Sequence, residues 1–371
     1  MPSPAPNRTD APYRFHAFEV SYFSAKVRPA LRYKGLWYEE RRADLAEIRR
    51  RTGLGFIPIL VTPEDETWQD STDIYRRLEE RHPEPPLFPA GAVQRAAAHL
   101  VELYADEFAL IPAMHYRWGS ALGEATARAR FAAMTGSREL GNLAADRMVK
   151  ARYLVGASEA AGPAIEAHTR DLLDALCAHF EARPYLLGGR QSVADCALMG
   201  PVDGHFFNDL VSRELLLSSA APVVGWIERC NYPNADLQGE WLADDALAPS
   251  LVDVLGAMGR DAAPLLLDVV RDFEAWADSR PADQDELPRG VGLCKTSLRG
   301  LPVERAVIPY ALFSVQRVLD FHRALSPPDR ARVDDALAGT GWPALLAHEP
   351  RHRLRKEGFQ LGFEPTPERN A

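Results

Sequence analysis

Two short stretches carry the first chemistry in this chain: Ile57-Pro58 and Asp70-Ser71. Proline in the run Ile57-Pro58-Ile59-Leu60-Val61 cannot donate to a sheet ladder. It belongs at a strand start, on an edge, or at a cis peptide that turns backbone polar groups toward a ligand. In Asp70-Ser71-Thr72-Asp73-Ile74, cap-forming side chains stand where a strand should end and a helix begin. The free N–H groups and the positive end of the dipole at a helix start attract carboxylates. Together the two stretches read as a cradle for a small anion, or as an edge strand followed by an ordinary helix cap. The residues alone leave both open.

A second constellation is Ser192-Val193-Ala194-Asp195. It is a capping-box variant in which Ser192 caps a helix start and Asp195 reaches back to the cap N–H. Aspartate is shorter than the usual Glu or Gln, so the turn must be tight. The apolar neighbours Val193, Ala194 and Leu198 predict burial. Loss of either side chain should therefore cost about 1–2 kcal/mol or more. The four cysteines, Cys177, Cys196, Cys230 and Cys294, are far apart and form neither a CxxC nor a zinc-like spacing. No metal is expected. So few cysteines fit a reducing compartment, and Cys177 and Cys196 are expected as small buried hydrophobes.

The elements that must position these residues follow from periodicity and punctuation. A strand is predicted over 13–18, and a helix over 25–34 with Ser21 or Ser24 as its cap and Gly35 as its stop. Pro29 must lie in its first turn or kink it. A strand over 37–42, a helix over 44–51, strands over 57–61 and 67–69, and a helix over 73–81 complete a mixed sheet with helices on its faces. The proline-rich stretch 83–91 reads as a linker. Long helices follow: 92–118 with Pro112 as a kink, 138–155, 163–182, one opened by Ser192, and 222–229 with Trp226 inward. Beyond 238, helices are predicted over 253–260, 263–276, 303–325 and 328–337, with a loop over 281–300 holding a short hairpin near 291–294. The 359–363 segment is expected to tuck back.

The chain has 371 residues, 46% hydrophobic and 26% charged, enough for two or three domains. A net charge of −9 argues against a general binder of nucleic acid or acidic membranes. The basic run Arg351-His352-Arg353-Leu354-Arg355-Lys356 reads as a solvated helix face or tail. The first twelve residues are polar and proline-rich, without the apolar core of a signal peptide. No run reaches the ~18–20 apolar residues of a membrane span. A soluble, cytoplasmic protein with no membrane or nucleic-acid partner is expected.

In this order the pieces resemble the glutathione S-transferase superfamily. Ser21-Tyr22-Phe23-Ser24-Ala25-Lys26-Val27-Arg28 resembles its opening loop and helix. Ile57-Pro58-Ile59-Leu60 resembles its cis-proline motif, and Asp70-Ser71-Thr72-Asp73-Ile74 its acidic-serine helix start. Leu186 to Gly189 with Ser192 to Asp195 resembles its buried capping box, and 222–229 its final helix. The resemblance implies an α+β thioredoxin-like N-terminal domain with a mixed four-stranded sheet, then an all-α domain, then a mostly helical extension. The implied boundaries are a disordered tail 1–12, a glutathione-binding domain 13–83, a linker 84–91, a helical domain 92–237 and an extension 238–371. Gln191 where a staple prefers an apolar side chain, an opening loop without cysteine, and the long extension depart from the family pattern.

What the resemblance implies for chemistry is specific. Ser21, with Ser24 and Tyr22 as alternatives, would donate a hydrogen bond to the thiolate of bound glutathione and lower its pKa from ~8.5. The Ile57 backbone, exposed by a cis Pro58, would pair with the cysteinyl backbone. Asp70 would take the α-ammonium and Ser71 the γ-glutamyl carboxylate. One of Arg49, Arg50 and Arg51 would reach the glycyl carboxylate, unless that run is a solvated helix face. Tyr104, Phe108, His115 and Trp118 are candidates for the second-substrate pocket, or for core. Glutathione is the implied co-substrate, a small electrophile its partner, and a homodimer the implied assembly. The alternative is a non-enzymatic member of the fold that acts as an interaction platform through its extension.

Overall fold

The computed structural model describes residues 11–233, 239–281 and 287–364. The tail expected over 1–12 lies almost wholly outside them, as does the boundary expected at 237–238.

Four strands form one mixed sheet: β1 (Tyr13–Ala17), β2 (Tyr38–Arg42), β3 (Ile59–Val61) and β4 (Thr67–Gln69), in the order β2-β1-β3-β4. β1 runs parallel to β2, and β3 lies antiparallel to both β1 and β4. The period of two in a strand sorts β3 between faces. Leu60 faces the large core with Phe15, Leu31, Trp68 and Tyr75, while Ile59 and Val61 pack with Ile48 on the other side. β2 sits on the edge, and its exposed Glu39, Glu40, Arg41 and Arg42 discourage further pairing. Helices α1 (Tyr22–Tyr33), α2 (Leu45–Thr52) and α3 (Ser71–Arg81) complete the thioredoxin-like unit. α1 starts earlier than the hydrophobic pattern predicts, because Ser21 caps it by accepting from Ser24 N at 3.3 Å.

The helical part begins with α4 (Ala92–Leu103), a π-turn over Tyr104–Phe108 and α5 (Leu110–Trp118). The single helix expected over 92–118 is therefore broken, but at the π-turn and not at Pro112. Pro112 sits in the first turn of α5, where a missing N–H costs nothing. Then come α6 (Ala121–Thr135), α7 (Arg138–Leu154), α8 (Gly162–Ala182), α9 (Val193–Pro201), α10 (Leu210–Ser219) and α11 (Ala221–Asn231). α6 and α10 carry weak patterns and escaped the sequence reading. Gln191 is fully buried and donates to Cys196 Sγ at 3.3 Å. Cys196 is buried as expected, whereas Cys177 is only partly so.

The extension departs most from expectation. Two helices were expected over 253–276; a single helix, α12 (Pro249–Ser279), runs through Pro264. Its buried stripe, from Leu251 through Leu255, Met258, Leu266 and Val270 to Phe273, is continuous and offsets the lost hydrogen bond at the proline. The helix expected from 303 is instead strand β6 (Leu301–Ala306), paired with β5 (Leu293–Leu298). Arg299 (φ 51°) and Gly300 (φ 80°) both lie in the left-handed region, as a two-residue hairpin turn requires. α13 (Pro309–Ala324), α14 (Pro327–Ala336), α15 (Trp342–Leu346) and the hairpin β7 (Leu354–Glu357) and β8 (Gln360–Phe363) follow. The basic run 351–356 is not a helix but leads into β7: Arg353 pairs with Asp320 and Glu364, Arg351 with Glu274 and Asp278, and Lys356 reaches the start of α3.

Candidate functional site

Sheet register brings the sequence candidates to one end of the sheet. His16 near the end of β1 pairs with Ile59, and Ile59 pairs with Gln69. The loop carrying Ser21, the Ile57-Pro58 stretch and the Asp70-Ser71 helix start therefore leave the sheet on the same side. The Ile57–Pro58 peptide is cis. Gln69 Nε2 donates to Phe56 O at 2.8 Å and fastens the end of β4 to the stretch that precedes Ile57.

Around Ser21, the side chains sort themselves by burial. Tyr22 is buried and its hydroxyl donates to Ala105 O, so it is committed to the helical domain. Ser24 is fully buried with its Oγ unpartnered. Ser21 is half-buried at the cap of α1. Arg117 holds this loop from behind, donating to Val20 O at 3.0 Å while its Nε donates to Asp209 at 2.6 Å. Deeper in α1, the fully buried Lys26 lies 2.5 Å from Asp106 and 3.7 Å from Glu102. Burial pushes the Asp106 carboxyl up to about 6, against the pull of Lys26.

Asp70 is the most constrained member. Its φ of 82° is unusual for a residue other than glycine, and strain of this kind gathers at functional sites. Its Oδ1 accepts from Thr72 N at 3.0 Å and caps α3. Its Oδ2 accepts from Lys356 Nζ at 2.8 Å and from the Tyr310 hydroxyl, and Arg317 lies 4.0 Å away. Lys356 also donates to Asp73 at 2.7 Å. Burial alone would raise the Asp70 carboxyl; Arg317, Lys356 and the Tyr310 hydroxyl outweigh it and bring it down to about 2. The extension thus docks onto the acidic helix start. A second approach is made by Arg289, whose guanidinium stands 4.9 Å from the Phe56 ring centre.

Lys356, Tyr310, Arg317 and Arg289 were missed from sequence. Lys356 lies 286 positions from Asp70, and nothing local marks it apart from its place in a basic run. Of the three arginines of α2, Arg51 is engaged by Glu47 and Asp65, and Arg50 extends into solvent. Arg49 lies against Gly55, where a Cβ would stand 3.0 Å from its Nε, beside the loop that leads to Ile57. The aromatic candidates are core: Tyr104 and Phe108 are fully buried, Trp118 is buried against Phe131, and Tyr104 bonds His168 at 2.7 Å. His115 faces Glu166 at 3.3 Å. A cavity of 660 Å³ lies between α3, α4, α13 and the β7–β8 turn, lined by Thr72, Asp73, Arg95, His99, Arg317 and Lys356 among others; Ser21 is not part of it.

The capping box is deeply built. Asp195 is fully buried and accepts from Leu186 N at 3.0 Å, Ser192 N at 2.9 Å, Ser192 Oγ at 2.8 Å and Trp226 Nε1 at 2.9 Å. Trp226 stacks on Phe180 at 4.9 Å. Among the described residues no group of His, Cys, Asp or Glu is arranged to hold a metal ion.

A thioredoxin-like sheet carries a proline-led strand and an acidic helix start at one end and is joined to a helical domain. Residues 15–86 match the family described as glutathione S-transferase, N-terminal domain. A curated relative, glutathione S-transferase 1 of Dianthus caryophyllus, is 36% identical over 90 residues, 22% of this chain. The chain spans 40% of that relative's length. Solved structures of similar shape include a glutathione S-transferase from Rhodospirillum rubrum F11, with 19% identity and a TM-score of 0.40 over 65% of this chain and 99% of that one. Another is a glutathione S-transferase from Methylobacterium radiotolerans JCM 2831 in complex with glutathione sulfonate, with 20% identity and a TM-score of 0.39 over 62% and 98%.

Proposed function

We propose that this chain is a glutathione-dependent transferase, which activates the thiol of bound glutathione for attack on a small electrophile. The observation that carries the proposal is the convergence of Ser21, Ile57-Pro58 and Asp70-Ser71 at one end of the sheet, inside the segment that matches the family. In this assignment the Ile57 backbone pairs with the cysteinyl unit. Ser71, at the start of α3, takes the γ-glutamyl carboxylate, which the helix dipole favours. Asp70 faces the α-ammonium, and Arg49 is the arginine best placed for the glycyl carboxylate. Ser21 donates a hydrogen bond to the sulfur, and the N-terminus of α1 adds favourable potential; both favour thiolate over thiol. Ser21 is not itself the nucleophile. The serine, rather than Tyr22 or Ser24, is favoured because those two hydroxyls are buried away from that end of the sheet.

Binding to immobilised glutathione, weakened by Ser71→Ala, is the expected result. A well-folded protein that neither binds glutathione nor is stabilised by it would end this assignment. A homodimer belongs to the same proposal, and a monomer mass by light scattering would remove it.

A second reading, an interaction platform that works through its extension, is favoured by one observation: the extension is seated on Asp70 through Lys356 and Tyr310. It predicts a protein partner lost on removing the extension, with glutathione without effect.

A further inference from the structure

The Asp70 carboxylate, the group assigned to a ligand's ammonium, is already served by the protein. Its side chain is 12% exposed. Its Oδ2 holds two donors, the Lys356 ammonium and the Tyr310 hydroxyl. Asp70 and Asp73 carry two negative charges, and Lys356 and Arg317 supply two positive ones within 4.0 Å of Asp70. Arg76 adds a third cation 3.5 Å from Asp73, so neither carboxylate lacks a counter-charge.

Lys356 does not hang on a loose end. Leu354 N donates to Gln316 Oε1 and Leu354 O accepts from Gln316 Nε2, both at 2.9 Å. Arg353 is bidentate on Asp320 at 2.9 and 2.8 Å. These contacts clamp the β7–β8 hairpin to α13, which itself packs on α4. The ammonium is therefore presented from a fixed scaffold.

A ligand ammonium entering here would meet Lys356, already seated between Asp70 and Asp73, and Arg317 beside it. A further positive charge in a poorly hydrated site is repelled. A ligand carboxylate is in the opposite position: Arg317 Nη1 is buried without a hydrogen-bond partner, and Arg317 lines the adjoining cavity.

We propose that Lys356 takes the place of the ligand's own α-ammonium at Asp70, so that the docked cradle selects a thiol peptide whose N-terminal acyl group ends in a carboxylate without an amino group. Lys356 is a specificity-determining residue in this assignment, which rests on Asp70-Ser71 being the γ-glutamyl end of the site. The ligand class is an anionic acyl-cysteinyl peptide rather than the zwitterionic γ-glutamyl one.

The test is calorimetric titration of the full chain with two ligands, glutathione and its des-amino analogue glutaryl-cysteinyl-glycine. In the unmodified protein the analogue is expected to bind about tenfold more tightly, the equivalent of one opposed charge contact. In Lys356→Met the order is expected to reverse, because Asp70 then lacks its cation; Lys356→Arg should keep the original order. If glutathione binds the unmodified protein more tightly than the analogue, the proposal is overturned while glutathione binding stands. If neither ligand binds the unmodified protein, the γ-glutamyl assignment fails and the proposal with it. The comparison of the two ligands on the unmodified protein needs no variant, so a poorly folding Lys356→Met does not protect the proposal.

Discussion

Replacing Asp70 by asparagine tests how firmly the extension is tied to the N-terminal domain. The side chain keeps its shape and one carbonyl oxygen, so the α3 cap to Thr72 N is retained. What is lost is the negative charge facing Lys356, Arg317 and Tyr310. The carboxyl titrates near an ordinary 3.8 in the unfolded chain and is brought down to about 2 in the fold. Each unit is worth ~1.4 kcal/mol, so the charge contributes about 2 kcal/mol. The larger cost of ~3–5 kcal/mol for orphaning a buried charge does not apply, because Lys356 keeps Asp73 at 2.7 Å. A folded-state pKa below the unfolded one stabilises at pH values above 3.8, and that stabilisation fades as pH falls through about 2. Urea denaturation of the two proteins at neutral pH should therefore differ by about 2 kcal/mol, with the gap narrowing in acid. A gap under ~0.5 kcal/mol at neutral pH, or one that stays constant in acid, would refute the claim that this ion cluster holds the extension in place.

Asp195→Ala strands four buried donors, so it should cost more than ~3 kcal/mol in the same assay, against ~1–2 kcal/mol for Ser192→Ala; equal losses would show that the cap, not the carboxylate network, matters. Burial raises the Glu107 carboxyl from 4.5 to about 7, against Arg305 and Ser314. The fold then binds a proton that the unfolded chain releases, so this group's contribution falls as pH rises from 4.5 to about 7. Glu107→Gln should flatten the stability profile in that window, and an unchanged slope would assign the proton elsewhere. Ser21→Ala should raise the pKa of the bound thiol by about one unit, seen as a shift of the pH–rate profile to higher pH; an unshifted profile would move the role to another group.

What the sequence revealed divides along a physical line. The cis peptide at Pro58 and the capped start of α3 were legible because their signals are local: a proline in a β-branched run, and capping side chains at a helix start. The Ser192–Asp195 box was legible for the same reason, although the fourfold use of Asp195 was not, since Leu186 and Trp226 come from outside the motif. The extension was read poorly. The helix over 249–279 was read as two, over 253–260 and 263–276, because periodicity takes no account of packing, and Val303 looked helical because apolar residues around it fit either period. The ion cluster at Asp70 joins residues almost the whole described chain apart, and a pattern of charges alone does not reveal which side chains meet. Arg351 to Lys356 read as solvated because charge runs usually are, yet Arg351, Arg353 and Lys356 each find a carboxylate in the fold.

The central claim is that the end of the sheet formed by Ile57-Pro58 and Asp70-Ser71 binds a thiol tripeptide. Calorimetric titration of glutathione into the full-length protein and its Ser71→Ala variant tests it most directly. The account predicts measurable binding to the unmodified protein, weakened tenfold or more in the variant, the ~1.5–3 kcal/mol of a hydrogen bond to a charged group. Binding that is identical in the two proteins, or absent from both, would contradict it.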